Sequence, residues 1–116
     1  LVLESHNHNY QRTYPISYNS GDSSKPTITD GVTTGYNSNT KGAIFVIVGT
    51  GGQGFYPMQG QEPYMVKQID GKFGFLNIDI SNDNRHAKLT GTFYDNKGDA
   101  LDNFTIEKEI KGKKGL

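Results

Sequence analysis

Hydrophobic and polar residues alternate along much of the second half of the chain, and a period of two is the pattern of strands with one buried face. Ala87, Leu89, Gly91 and Phe93 alternate with Lys88, Thr90, Thr92 and Tyr94, which predicts a half-buried strand. Phe73 to Ile80 reads as a second strand, with Ile78 and Ile80 alternating around Asn77 and Asp79, and Phe104 to Ile110 as a third. Ser81-Asn82-Asp83-Asn84 and Asn96-Lys97-Gly98-Asp99 have turn composition, and Asp70-Gly71 is a hairpin signal after a strand over Tyr64 to Ile69. Ala43 to Val48 differs from these. It is a continuous apolar run rich in β-branched residues, which predicts a strand buried on both faces. Val2-Leu3 reads as the end of another buried strand. No segment carries helical periodicity, so the expected fold class is mainly β, an antiparallel or mixed sheet segment.

The intervening stretches are polar. Thr13 to Tyr18 looks extended and carries Pro15, which suits an edge position. Residues 19–42 are rich in Asn, Ser and Gly with only Ile28 and Val32 as aliphatic anchors, which reads as a long surface loop or a loose hairpin. Gly49-Thr50-Gly51-Gly52-Gln53-Gly54 fits the glycine spacing of a dinucleotide-binding loop, but that loop must open a helix at once. Phe55-Tyr56-Pro57-Met58-Gln59-Gly60 places proline and glycine there instead. The better account is a turn that needs positive φ or a close backbone approach.

Composition narrows the function classes. At 116 residues the chain makes one domain at most, and 12 basic residues balance 12 acidic ones, so nothing favours nucleic-acid binding by bulk charge. Without cysteine there are no disulfides or thiolate metal sites, and no stretch has the length of a membrane span. The basic cluster in the tail over 111–116 reads as solvated, and Asn103-Phe104-Thr105 is an N-glycosylation sequon.

The candidate chemistry lies in Glu4-Ser5-His6-Asn7-His8-Asn9-Tyr10-Gln11-Arg12-Thr13, which holds two of the three histidines one residue apart. In an extended segment His6 and His8 would present both imidazoles to one side; on a tight turn they would splay towards two neighbouring ions. A bare His-x-His is equally compatible with two water-facing rings, because two ligands do not close a zinc or iron site. The flanking string is more specific. Ser5-His6-Asn7-His8-Asn9-Tyr10-Gln11-Arg12-Thr13 resembles the last metal-binding motif of the calcineurin-like metallophosphoesterases, and more closely the purple acid phosphatase branch, whose pattern is Gly-His-x-His-x-Tyr, then Glu or Gln, Arg, and Ser or Thr. Ser5 stands where that family usually has glycine, and a positive φ there would strain it. The glycine-rich turn after the buried strand, and an Asp-x-Phe-x-Ile ending after the turn at Gly98, are also similar to that family.

The resemblance implies that residues 1–116 are a single β-rich segment, the carboxy-terminal part of a metallophosphoesterase αββα sandwich. It implies metal ligation by His6 and His8 in a centre of two ions, iron with zinc, manganese or iron, that hydrolyses phosphate esters. Tyr10 and Arg12 would orient the histidine loop through hydrogen bonds, Arg12 through a salt bridge in preference to substrate contact. The family's other ligand motifs do not occur here, so the segment alone should be inactive and hold no catalytic residue or cofactor of its own. His86 matches none of the ligand patterns and is expected at the surface. A secreted or extracytoplasmic location follows from the same resemblance. Two other classes are open: a non-enzymatic β module that self-associates or pairs with a missing amino-terminal part through sheet edges, and a carbohydrate-binding sandwich using Tyr14, Tyr18, Tyr36 and Tyr56.

Overall fold

In the computed structural model the described residues are 1–52, 54–55, 57–58 and 60–110. The basic tail and the expected contributions of Gln53, Tyr56 and Gln59 lie outside them. The described chain is all-β: β1 (Val2–Glu4), β2 (Tyr10–Thr13), β3 (Ile16–Ser17), β4 (Thr27–Ile28), β5 (Gly35–Tyr36), β6 (Phe45–Val48), β7 (Met65–Ile69), β8 (Gly74–Asn82), β9 (His86–Asp95) and β10 (Ala100–Glu109). No helix among these residues is long and apolar enough to cross a membrane.

Two four-stranded sheets stack face to face. The first has the order β1-β6-β2-β7 and the second β5-β10-β9-β8, while β3 and β4 form a small antiparallel pair. The second sheet follows directly from alternation and turn chemistry. β8, β9 and β10 run as an antiparallel meander, with β8 and β9 in unbroken register from Gly74 opposite Asp95 to Asn82 opposite Ala87. The turn into β10 is held by Asp95, whose Oδ1 accepts the Lys97 and Asp99 amides, each at 2.9 Å. A β-bulge between Ala100 and Asp102 then shifts the register, so that Asp102, Phe104 and Ile106 oppose Phe93, Gly91 and Leu89. The Phe104 ring lies over Gly91, where an added Cβ would come within 2.6 Å of Phe104 Cε1. Only glycine fits beneath that ring.

The first sheet is built from short strands that are distant in sequence. β1 pairs β6 in parallel, and β2 runs antiparallel to both β6 and β7. The core between the sheets is Tyr10, Tyr36, Ile44, Val46, Phe93 and Phe104. Tyr10 and Phe93 stack across the interface with centroids 4.3 Å apart.

Four expectations are corrected by this arrangement. The strand at Val2-Leu3 forms but is not buried: β1 is an edge strand, and Leu3 is 53% exposed. The run over 43–48 buries Ile44 and Val46 against the other sheet, while Phe45 and Ile47 on the opposite face are only half-buried. Asp70-Gly71 makes a turn, with Gly71 at φ 66°, but the turn carries the chain from β7 in one sheet to β8 in the other and closes no hairpin. Of the two aliphatic anchors expected in the polar stretch 19–42, Val32 packs against the core and Ile28, 41% exposed, does not. The fully buried anchor of the stretch is Tyr36, which pairs through β5 with β10 and lies in the core. That position also removes Tyr36 from any surface row of sugar-stacking tyrosines.

Candidate metal-binding turn

β1 and β2 are joined by the bent segment 5–9, which carries both candidate ligands. The Asn9 amide donates to the Asn7 carbonyl at 2.9 Å, a bond that spans two residues and makes His8 the apex of a γ-turn. No non-glycine residue among those described has positive φ, so this is the inverse, unstrained form. The same fact settles Ser5, whose φ is not positive, so the turn does not strain it. Because 5–9 is not extended, the same-face arrangement of the two imidazoles that a strand would impose does not hold.

His6 is exposed and His8 half-buried. His8 Nδ1 lies 2.6 Å from the Gly54 carbonyl oxygen. A carbonyl only accepts, so Nδ1 must carry the proton, and in the neutral ring the lone pair is then on Nε2. That tautomer is the one a metal-ligating imidazole needs, with its other nitrogen tied to a backbone carbonyl. The donor chemistry of the turn therefore fits a metal. The ligand count does not complete a site: among the described residues no group of three His, Cys, Asp or Glu side chains is placed to hold one. His86 lies at the surface, with 59% of its side chain exposed beside Asp83.

The strand that follows the turn is locked on both faces. On the inner face, Arg12 is 1% exposed and lies in the middle of the sandwich. Its Nε and Nη2 donate to Asp102 Oδ2 and Oδ1 at 2.7 and 2.9 Å, and Nη1 donates to the Tyr36 hydroxyl and the Thr33 carbonyl at 2.6 Å each. Tyr10 donates its hydroxyl to the same Asp102 Oδ2 at 2.6 Å. The guanidinium also stands 5.2 Å from the centroid of the Phe104 ring. A buried charge is tolerable only when paired and hydrogen-bonded, and this network meets that condition. On the outer face Gln11 donates to Asn9 Oδ1 and accepts from Gln68, both at 3.0 Å, which ties β2 to β7.

The electrostatics match the geometry. Burial alone would raise the Asp102 carboxyl, but the hydrogen bonds from Arg12 and Tyr10 and the guanidinium charge hold it below the usual carboxylate range. Burial pushes the Tyr10 hydroxyl well up, and its bond to the Asp102 carboxylate pushes it further, so it remains a donor. Burial would lower Arg12, and Asp102 outweighs that effect and raises it.

Tyr10 and Arg12 are thus brought together with a partner the motif does not contain. Asp102 is missed when the motif is read alone, although a signal exists: in Asp102, Phe104 and Ile106 a carboxylate occupies the first inward position of an otherwise apolar row, and a carboxylate there requires a cation. The Gly54 carbonyl carries no side-chain signal at all.

No family model matches the chain, and no curated protein matches it. Among solved structures it is similar to the purple acid phosphatase isolated from yellow lupin (Lupinus luteus) seeds, at 27% identity and a TM-score of 0.73. The similarity takes in 93% of this chain and 17% of that one, so the chain spans about a sixth of the length of the protein it matches.

Proposed function

We propose that the chain is the carboxy-terminal part of a dinuclear-metal phosphoesterase of the purple acid phosphatase type, and that it contributes His6 and His8, one to each ion. The observation that carries this reading is the tethered His8 on a γ-turn, followed at once by a strand fixed on both faces. A turn that merely faced water would need no such support. The likeness in structure to a purple acid phosphatase supports it independently. Two ions, iron with zinc, manganese or iron, would polarise the phosphoryl group of an ester and stabilise the charge that develops on it. The residues of this chain hold and orient: His8 keeps its Nδ1 proton on Gly54 and presents Nε2, while Tyr10 and Arg12 fix the strand from which the turn projects. The reading places the longer protein in a secreted or extracytoplasmic compartment.

Two histidines leave each ion one ligand from this chain, so the chain alone should not hydrolyse p-nitrophenyl phosphate above a buffer control with added iron, zinc or manganese. Turnover by the pure chain would overturn the account of an incomplete site.

A second reading has its own observation. Leu3 and Val48 of the first sheet and Leu76 and Ile78 of the second line an open groove of about 430 Å³ at the β1–β8 side of the sandwich, and Ile80 beside it is 72% exposed. Among the described residues, no strand pairs with the outer edge of β1 there. Apolar surface and free strand edge together favour association, so the isolated chain covers this groove with a second copy of itself. Sedimentation should show a concentration-dependent dimer, and a monomer over a wide concentration range would exclude it.

A further inference from the structure

The first glycine of the glycine-rich turn does not have positive φ. It is glycine for another reason. An added Cβ at Gly49 would come within 2.6 Å of the Asn7 carbonyl carbon and 2.8 Å of the Ser5 oxygen, and closer still to the Asn7 oxygen. These are backbone atoms of the histidine turn, which cannot swing aside as a side-chain end can. Gly49 also donates its amide to the Asn9 carbonyl at 3.0 Å. The Asn7 carbonyl that Gly49 abuts is the acceptor of the γ-turn bond around His8. The next residue, Thr50, is 2% exposed and fastens this point to the other sheet, its Oγ1 donating to the Gly74 carbonyl at 2.9 Å while its carbonyl accepts the Gly74 amide at 3.1 Å. The backbone at Gly49 is therefore a fixed wall, and the histidine turn lies directly against it.

We infer that Gly49 is a positioning residue for the candidate metal site: it sets the height and angle of the His6–His8 turn by backbone contact, and the absence of a side chain is what lets the γ-turn close. The step from turn to metal rests on the phosphoesterase reading. The step from Gly49 to turn does not.

Gly49→Ala in the 116-residue chain tests the second step, with Gly51→Ala as the control in the same loop, since an added Cβ at Gly51 meets nothing within 4 Å and its φ is not positive. Amide hydrogen exchange should rise at least tenfold at Asn9 in Gly49→Ala and not in Gly51→Ala, with the amides of β8 and β9 unchanged in both. In the longer protein, metal affinity should fall about 10- to 100-fold in Gly49→Ala, the range seen when the outer supports of a ligand are removed, and stay constant in Gly51→Ala. A merely structural glycine would lower the melting temperature and leave the affinity of the folded protein untouched. Unchanged Asn9 exchange in Gly49→Ala would overturn the inference, as would unchanged metal affinity beside altered exchange. Should Gly49→Ala not fold, the wild-type chain decides: Gly49 and Asn9 amides protected to a similar degree support the inference, and an unprotected Asn9 amide beside a protected Gly49 sinks it. A longer protein that holds no metal even as wild type would refute the phosphoesterase reading, and the exchange result in the 116-residue chain would still judge Gly49.

Discussion

The two sheets of this sandwich are held together by different physics. In β8–β9–β10, strands of nine and ten residues pair with their neighbours in sequence through tight turns, and their inner row of Leu89, Phe93, Phe104 and Ile106 is apolar except at Asp102. In β1-β6-β2-β7 the strands are three to five residues long, the pairing is mixed and distant, and the largest fully buried side chain is an arginine. The first kind of sheet can form from local contacts. The second depends on a partner: β2 is fixed by an ion pair to Asp102, 90 residues away and in the other sheet. The histidine turn sits on the dependent sheet, so the precision of the candidate site is borrowed from the sheet that does not contain it.

The largest expected effect breaks that dependence. Asp102→Ala leaves Arg12 buried and unpaired, and removing one partner of such a pair destabilises by about 3–5 kcal/mol. Hydrogen exchange should show the loss concentrated in β2 and β6, with β8 and β9 retaining protection. Equal loss across both sheets would mean that they form one cooperative unit without the asymmetry described. Tyr10→Phe is milder. It keeps the stack on Phe93 and removes one hydrogen bond to a carboxylate, for about 2 kcal/mol by urea unfolding.

Acid sharpens the same contrast. Asp102 is held below the usual carboxylate range, so its contribution is fully present above about pH 4, the unfolded value, and is lost as pH falls through the folded value. The stability gap between wild type and Asp102→Asn should therefore narrow as the pH drops below about 4. A gap that is constant with pH would show that the charge of Asp102 is not what holds β2. The smallest effect belongs at the periphery: Ile80→Thr, at a side chain 72% exposed, should change folding stability by less than about 0.5 kcal/mol while weakening any dimer formed over the open groove.

Legibility in the sequence followed the same division. The meander was plain, because period-two alternation and turn residues are local signals, and the absence of helix among the described residues was equally plain. Local signals also misled. Asp70-Gly71 has the chemistry of a hairpin, yet nothing in two residues tells whether the next strand returns to the same sheet. The apolar run before Gly49 announced burial, but how many faces are covered depends on layers that lie elsewhere. Tyr36 was hidden inside a polar stretch, where one aromatic reaching the core through a two-residue strand leaves no period to detect. The candidate ligands were legible as a motif, and the close backbone approach at Gly49 as a glycine-rich turn, while the other supports were not: Asp102 lies far along the chain and Gly54 acts through a carbonyl.

The central claim is that this chain contributes His6 and His8, and no other histidine, to a two-metal phosphoesterase site. It is tested most directly in the longer protein by measuring metal content and phosphate-ester hydrolysis together for wild type, His8→Ala and His86→Ala. The account predicts that His8→Ala loses both metal and turnover, and that His86→Ala, altered at an exposed ring beside Asp83, keeps both near the wild-type level. Equal loss in the two variants, or full metal content and activity in His8→Ala, would contradict it.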